Sequence, residues 1–352
     1  MGRESQRTDR SKNTLHWVVF ALILAAGLIV RVLLLDRPVG LDEAYSFLEY
    51  GAVSPLRSLR DYSATNNHLL NSLLMHVAFR IFGAEFWAIR LPAFLFGAAT
   101  IPAAYLVGRM AVSRFVGLIA AGVVAFSVSM IDYSTNARGF AMVAFFSVVQ
   151  FGVGLLILKQ PRAWLWGAYA ITLALGFFSV TTYVLPAGTI SLWLLISIWI
   201  ELNGAARITA ILSFIITICV GAALTLALYA PIWTRSGFDV LLDNRSIDIY
   251  SLEYYGIDTP LWMNLQRIVT FVFRGWALPA GAAIAALMLM GIVLHRRVSS
   301  HRIPVLVIAG IWALPFMLFL PYVAPMRTWI YLIPLGGIAL GTAFEGLAHR
   351  TG

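Results

Sequence analysis

Apolar residues fall in ten long runs, near 15–35, 88–108, 115–131, 140–158, 163–180, 183–200, 208–230, 277–294, 303–322 and 328–346. Each approaches the ~20 residues that a helix needs to cross a ~30 Å hydrocarbon core. Backbone polar groups cannot be left unpaired in lipid, so the runs predict transmembrane helices; a barrel would show short alternating segments instead. Within 163–200 the division rests on Pro186 and the polar patch Ser179, Thr181 and Thr182. The expected fold is all-α: a polytopic bundle of about ten transmembrane helices forming a single unit over residues 1–352. The basic N-terminal stretch leads into a run too long for a cleaved signal, so it reads as the first span, and the chain is expected to end after span ten with no soluble domain. Two stretches between runs are long, 36–87 and 231–276. The first contains the amphipathic segment Leu69–Phe82, too short to span at 14 residues and predicted as a juxtamembrane helix. The second mixes aromatic and charged residues, as in Asp248–Tyr255.

Composition sharpens this picture. Of 352 residues, 60% are AVILMFWYC and 12% are charged, about half the charged share of a soluble domain. A soluble enzyme, a disordered chain and a coiled coil are excluded. The single cysteine, Cys219, lies in an apolar run, which rules out an intrachain disulfide framework and a cysteine-based zinc site. The net charge of +9 is carried almost wholly by arginine and could suggest nucleic acid, but its distribution says otherwise. With the N-terminus in the cytoplasm, segments 1–14, 109–114, 159–162, 201–207, 295–302 and 345–352 hold 13 of the 25 Lys and Arg and 4 of the 16 acids. The remainder is balanced. Basic residues thus favour the short loops of one side, as the positive-inside rule requires. Both termini are expected in the cytoplasm of a cell-membrane protein, with 36–87 and 231–276 outside and no nucleic-acid partner.

Three polar clusters gather on the outer side. Asp42 and Glu43, with Tyr45 beside them, follow the first span. Adjacent carboxylates there need a counter-charge or a proton once desolvated. They read either as a solvated loop or as a general base for an acceptor hydroxyl. Thr65-Asn66-Asn67-His68 precedes the amphipathic segment; Thr and Asn are favoured N-caps, which accounts for the asparagines but not for His68. Asp132-Tyr133-Ser-Thr-Asn136-Ala-Arg138-Gly139 is squeezed between the third and fourth spans. An arginine at that depth needs an anion, whether Asp132, the acidic pair or a phosphate. Arg327 is similarly placed at the start of the last span, whereas snorkelling accounts for Arg31 and Arg90 near outer helix ends. No Gly-rich phosphate loop, nucleophile elbow or helical metal spacing is present in the sequence.

Four motifs in order carry a resemblance. They are Leu41-Asp42-Glu43-Ala-Tyr45, Asn67-His68-Leu-Leu through Phe82-Gly83, Ala88-Ile-Arg90-Leu-Pro92 through Arg109, and Tyr133-Ser-Thr-Asn-Ala-Arg138. Together they resemble the polytopic GT-C glycosyltransferases, in particular bacterial relatives of protein O-mannosyltransferases and of the lipid A aminoarabinose transferase. Leu69-Leu70 stands where that family has Pro-Pro after the histidine. The resemblance implies a sugar donor on a polyprenyl phosphate and inverting transfer to an acceptor hydroxyl at the outer membrane face. It makes Asp42 the base, with Glu43 orienting the acceptor or helping to hold a cation. Arg138, His68 and Arg327 would meet the donor phosphate, and Tyr45, Asn67, Asp132 and Tyr133 would surround the substrates. No nucleotide or redox cofactor is implied; a divalent cation, if used, would fall to Asp42 and Glu43. The sugar and the acceptor (protein, lipid or glycan) are not legible. A transporter or flippase of a polyprenyl-linked lipid would share the spans, but would place broken helices and charges near span centres. Here the span centres are almost free of ionisable residues.

Overall fold

The structure, a computed structural model, describes residues 2–62, 64, 66–239, 260–319 and 325–349. Thr65 and 240–259, with the Asp248–Tyr255 segment, lie outside the described residues. The described residues form helices and no strand. In chain order these are α1 (Gly2–Leu33), α2 (Leu41–Ser46), α3 (Pro55–Ser58), α4 (Leu69–Phe82), α5 (Phe86–Ala111), α6 (Arg114–Phe126), α7 (Val128–Ser134) and α8 (Phe140–Lys159). They continue with α9 (Ala163–Ser179), α10 (Val184–Glu201), α11 (Gly204–Leu228), α12 (Ala230–Ser236), α13 (Pro260–Val272), α14 (Leu278–Val298), α15 (Val305–Phe319) and α16 (Leu332–Ala348).

Helix occupies every one of the ten predicted runs. By length and composition six can cross a membrane: α1 from Asn13, α5, α8, α10 with the turn before it, α11 and α14. The pair α6–α7, bent by 62°, makes a seventh if it is counted as one span. The remaining runs hold shorter apolar helices, α9, α15 and α16, of 17, 15 and 17 residues. At 1.5 Å per residue α9 and α16 rise roughly 26 Å and the described part of α15 roughly 23 Å, against a ~30 Å core. The expected ten spans are therefore six or seven of full length with three shorter helices packed among them.

The bend between α6 and α7 accounts for Arg31. Ser127 adopts an extended conformation that ends α6, and its hydroxyl faces the first turn of α7. Such a break leaves the last carbonyls of α6 without helical donors. Arg31, in the last turn of α1, donates to Val124 O and Ala125 O, both at 2.9 Å, and to Gly27 O. It is fully buried. Snorkelling is thus wrong for Arg31, which serves as a side-chain cap for a broken helix. Elsewhere the helices close through small residues. A Cβ on Gly341 of α16 would meet the Val116 backbone of α6 at 2.9 Å, the close approach typical of helix pairs in membranes.

Contacts sort the helix ends into two sets. One end joins Arg114 to Asn13, Ser113 to Glu345, Ser299 to Ala111 and His301 to Glu201. The opposite end gathers α2, the start of α4, the α7–α8 turn and the residues just before α16. Five of the six segments expected on one side by charge, all but 159–162, are represented in these contacts at one end of the bundle.

Candidate active site

Asp42 and Glu43 are consecutive residues of α2, and successive helical side chains diverge by about 100°. The two acids consequently face different surroundings. The Asp42 side chain is 53% exposed, whereas that of Glu43 is 3% exposed. At the third position of α2, Glu43 reaches back to accept the Gly40 N–H at 3.0 Å, half of a capping box. Its carboxylate also receives Arg90 through Nε at 2.8 Å and Nη2 at 2.9 Å, and the Ala137 N–H at 2.8 Å. Arg90 is itself fully buried and donates to Leu35 O, Arg37 O and Pro38 O. Burial raises the Glu43 carboxyl, but Arg90 and the Gly40 and Ala137 amides together outweigh it and hold the group below the usual carboxylate range. Arg90 does not snorkel: with Glu43 it braces the loop after α1, α2, α5 and the α7–α8 turn. The sequence held a signal for this, because Arg90 shares the helical phase of Ala93, Gly97, Ile101 and Ala104, all buried.

The α7–α8 turn is fixed from both sides. Ala137 donates to Glu43 and accepts from Asn71 Nδ2 at 3.1 Å. At Gly139 a Cβ would lie 2.8 Å from Ser179 O, so the turn is pressed against the end of α9. Arg138 is thereby held with its side chain only 4% exposed, opposite Asp42. Its Nη1 meets Asp42 Oδ2 at 2.5 Å and its Nη2 meets Asn66 Oδ1 at 2.8 Å, while the buried Nε has no partner among the described residues. Burial first, and then nearby Arg327, lower Arg138 to about 10, against the pull of Asp42. It is still a cation at neutral pH.

Phe140 organises the rest. The Arg138 and Arg327 guanidiniums each lie 5.4 Å from its ring centroid, and the His68 ring packs edge-on against it at 4.9 Å. His68 is buried, and its Nε2 has no partner among the described residues. Burial, then Arg138 and Arg327, hold its imidazole well below its ordinary value, so it is neutral at pH 7. Two cations and a neutral imidazole share one aromatic platform, and among the described residues Arg327 forms no ion pair. Nothing in the sequence pointed to Phe140, because a phenylalanine at the start of an apolar run is unremarkable by pattern.

Other expected residues are placed differently. Asp132 pairs with Arg37 at 2.8 Å and Arg274 at 3.0 Å, not with Arg138. Tyr133 packs against Phe140 and Phe271. Asn67 is not an N-cap: it donates to Ser58 O and Asp61 O and accepts from Ser72, tying the loop after α3 to α4. The cap position falls to His68, with no side-chain capping bond, and Asn66 is the asparagine that reaches Arg138. Tyr45 stays exposed on α2 beside Tyr50. Among the described residues no three His, Cys, Asp or Glu gather as a metal site. Glu43 is committed to Arg90, and a cation at Asp42 would have to displace Arg138.

No protein-family model matches the sequence, and no curated protein matches it. Solved structures do. The chain is similar to ArnT from Cupriavidus metallidurans in the apo state, with a TM-score of 0.64 and 15% identity over 96% of this chain and 61% of that one. ArnT bound to undecaprenyl phosphate gives 0.62 at 17% identity, over 94% and 60%. The archaeal oligosaccharyltransferase AglB from Archaeoglobus fulgidus, in complex with an inhibitory peptide and a dolichol-phosphate, gives 0.59 at 14% identity, over 96% and 51%. The fold is that of ArnT and AglB, in a chain whose apolar helices mark a multi-pass membrane protein. The chain spans about three fifths of ArnT and half of AglB.

Proposed function

We propose that this protein is a membrane glycosyltransferase that moves a sugar from a polyprenyl-phosphate donor to an acceptor hydroxyl, with inversion, using Asp42 as base. The observation that carries the reading is Arg138: a buried guanidinium whose Nε has no partner among the described residues, set with Arg327 and His68 around Phe140 and touching a half-exposed carboxylate. Guanidiniums hold phosphate oxygens two at a time. The arriving phosphate takes Arg138 from Asp42. The freed carboxylate then removes the acceptor proton, the acceptor oxygen bonds to the anomeric carbon, and the bond from that carbon to the phosphate oxygen breaks. Positive charge develops on the sugar in this displacement. The polyprenyl phosphate leaves as an anion stabilised by Arg138 and Arg327. An apolar cavity of about 560 Å³ between α9, α10, α11 and α15, bordered by Phe177, Val184, Leu226 and Trp312, suits an isoprenoid tail. Phe177 lies two residues before Ser179, which abuts the Arg138 turn. The bound lipids of ArnT and AglB point the same way.

Arg138→Ala is expected to weaken undecaprenyl phosphate binding by roughly 10–100-fold, the worth of one or two charge-assisted hydrogen bonds. Arg138→Lys should fall between that variant and the wild type. Titration of the purified protein in detergent measures both; unchanged affinity in Arg138→Ala would remove the phosphate role. We also place the Asp42 end outside the cell, on the strength of the charge bias. In a Cys219→Ser background, cysteine at exposed Glu49 should react with a membrane-impermeant maleimide in intact cells, and one at exposed Ser300 only after permeabilisation. The reverse pattern would put the site in the cytoplasm.

A further inference from the structure

At the end of the bundle opposite Asp42, the 299–304 segment folds back over the last turn of α10. Glu201 accepts from His301 Nδ1 at 3.1 Å and from the Arg302 N–H at 3.0 Å. Ser299 donates to Ala111 O at 3.0 Å and accepts from the His301 N–H at 3.1 Å. Trp193 Nε1 holds Ile303 O at 2.9 Å, and Arg296 Nε reaches Arg302 O at 3.3 Å. These bonds border an open cavity of about 320 Å³ lined by Ile200, Arg296, Ser299, Ser300, His301 and Arg302. That volume lies within the range of small-ligand sites.

The lining has one sign of charge. Glu201 beside the cavity has both oxygens engaged, by His301 and the Arg302 N–H. Neither Arg296 nor Arg302 forms an ion pair among the described residues. The Arg296 side chain is held to the Arg302 carbonyl, and both residues line the one cavity. Next to it, exposed Trp199 lies under the Arg207 guanidinium at 5.0 Å, an aromatic of the kind found at headgroup level. We propose that this cavity is a second anion site, binding the phosphate of an anionic phospholipid through Arg296 and Arg302, independently of the chemistry at Asp42.

The test uses the full chain in detergent, titrated with dioctanoyl phosphatidylglycerol, dioctanoyl phosphatidylcholine or inorganic phosphate. Phosphatidylglycerol should bind, and Arg302→Gln should weaken it about tenfold, the scale of a charge-assisted hydrogen bond. The Arg302 side chain makes no hydrogen bond among the described residues, so this variant leaves the loop intact. Arg162→Gln, at the same end but outside the cavity, should leave the affinity unchanged. Inorganic phosphate binding with the same Arg302 dependence would support the anion site and make its source soluble. Equal losses in Arg302→Gln and Arg162→Gln, equal binding of phosphatidylcholine, or no binding by either phosphate source would overturn it. Undecaprenyl phosphate binding at Arg138 is read separately and does not depend on the outcome.

Discussion

Asp42→Asn is expected to slow sugar transfer by roughly 10²–10⁴-fold, the usual contribution of a general base, and in the same protein to tighten binding of undecaprenyl phosphate. The first effect follows from losing the proton acceptor. The second follows from the resting geometry, in which Asp42 holds Arg138 at 2.5 Å and occupies the place that a phosphate oxygen must take. An asparagine keeps the shape, removes the competing anion and leaves Arg138 a buried cation without its counter-charge, which favours any arriving anion. Turnover and lipid-phosphate affinity, measured on one preparation, therefore move in opposite directions. Near-normal turnover would show that Asp42 is not the base and would turn attention to Asp132. Weaker phosphate binding would show that the phosphate does not exchange with the carboxylate at Arg138.

Much of this arrangement was legible in the sequence, for identifiable reasons. Spans are written in long apolar runs, and α4 follows its predicted limits because Gly83, at φ 81°, stops it where the pattern does. Arg138 was legible as a cation at a depth that requires an anion, and Asp42 as one of the acids within its reach. What the sequence hid was pairing. An arginine near the end of a span looks the same whether it snorkels or caps a neighbouring helix, and Arg31 and Arg90 are told apart from snorkelling residues only by what lies across the interface. The same holds for Asn66 and Asn67: both suit a helix start, and only the loop packing decides that Asn67 binds backbone while Asn66 faces Arg138. Hydropathy places helices in all ten runs but does not report that Ser127 bends one of them, or that α9, α16 and the described part of α15 have 15–17 residues.

Arg90→Met is expected to destabilise the fold by about 3–5 kcal/mol, the scale for removing one partner of a buried ion pair. Arg90 and Glu43 are both buried, and the four donors around Glu43 come from three separate segments. The pH dependence should reverse as well. With Arg90 present the Glu43 carboxyl is held below its unfolded value, so its contribution is present above that value and is lost as pH falls. Without Arg90 burial dominates and raises the carboxyl, so stability is instead lost as pH rises through the new value. Thermal unfolding in detergent should show Arg90→Met more stable at pH 5 than at pH 8, with Glu43→Gln added to it recovering part of the loss at pH 8. Glu43→Gln alone separates bracing from chemistry. Acting on the acceptor, Glu43 would be needed for turnover but not for melting temperature. As a brace that sets Ala137 and Arg138 against Asp42, it should lower both together, because the distance between base and phosphate-binding arginine depends on the same four bonds. An unchanged melting temperature in both variants would return Glu43 to the acceptor side of the reaction.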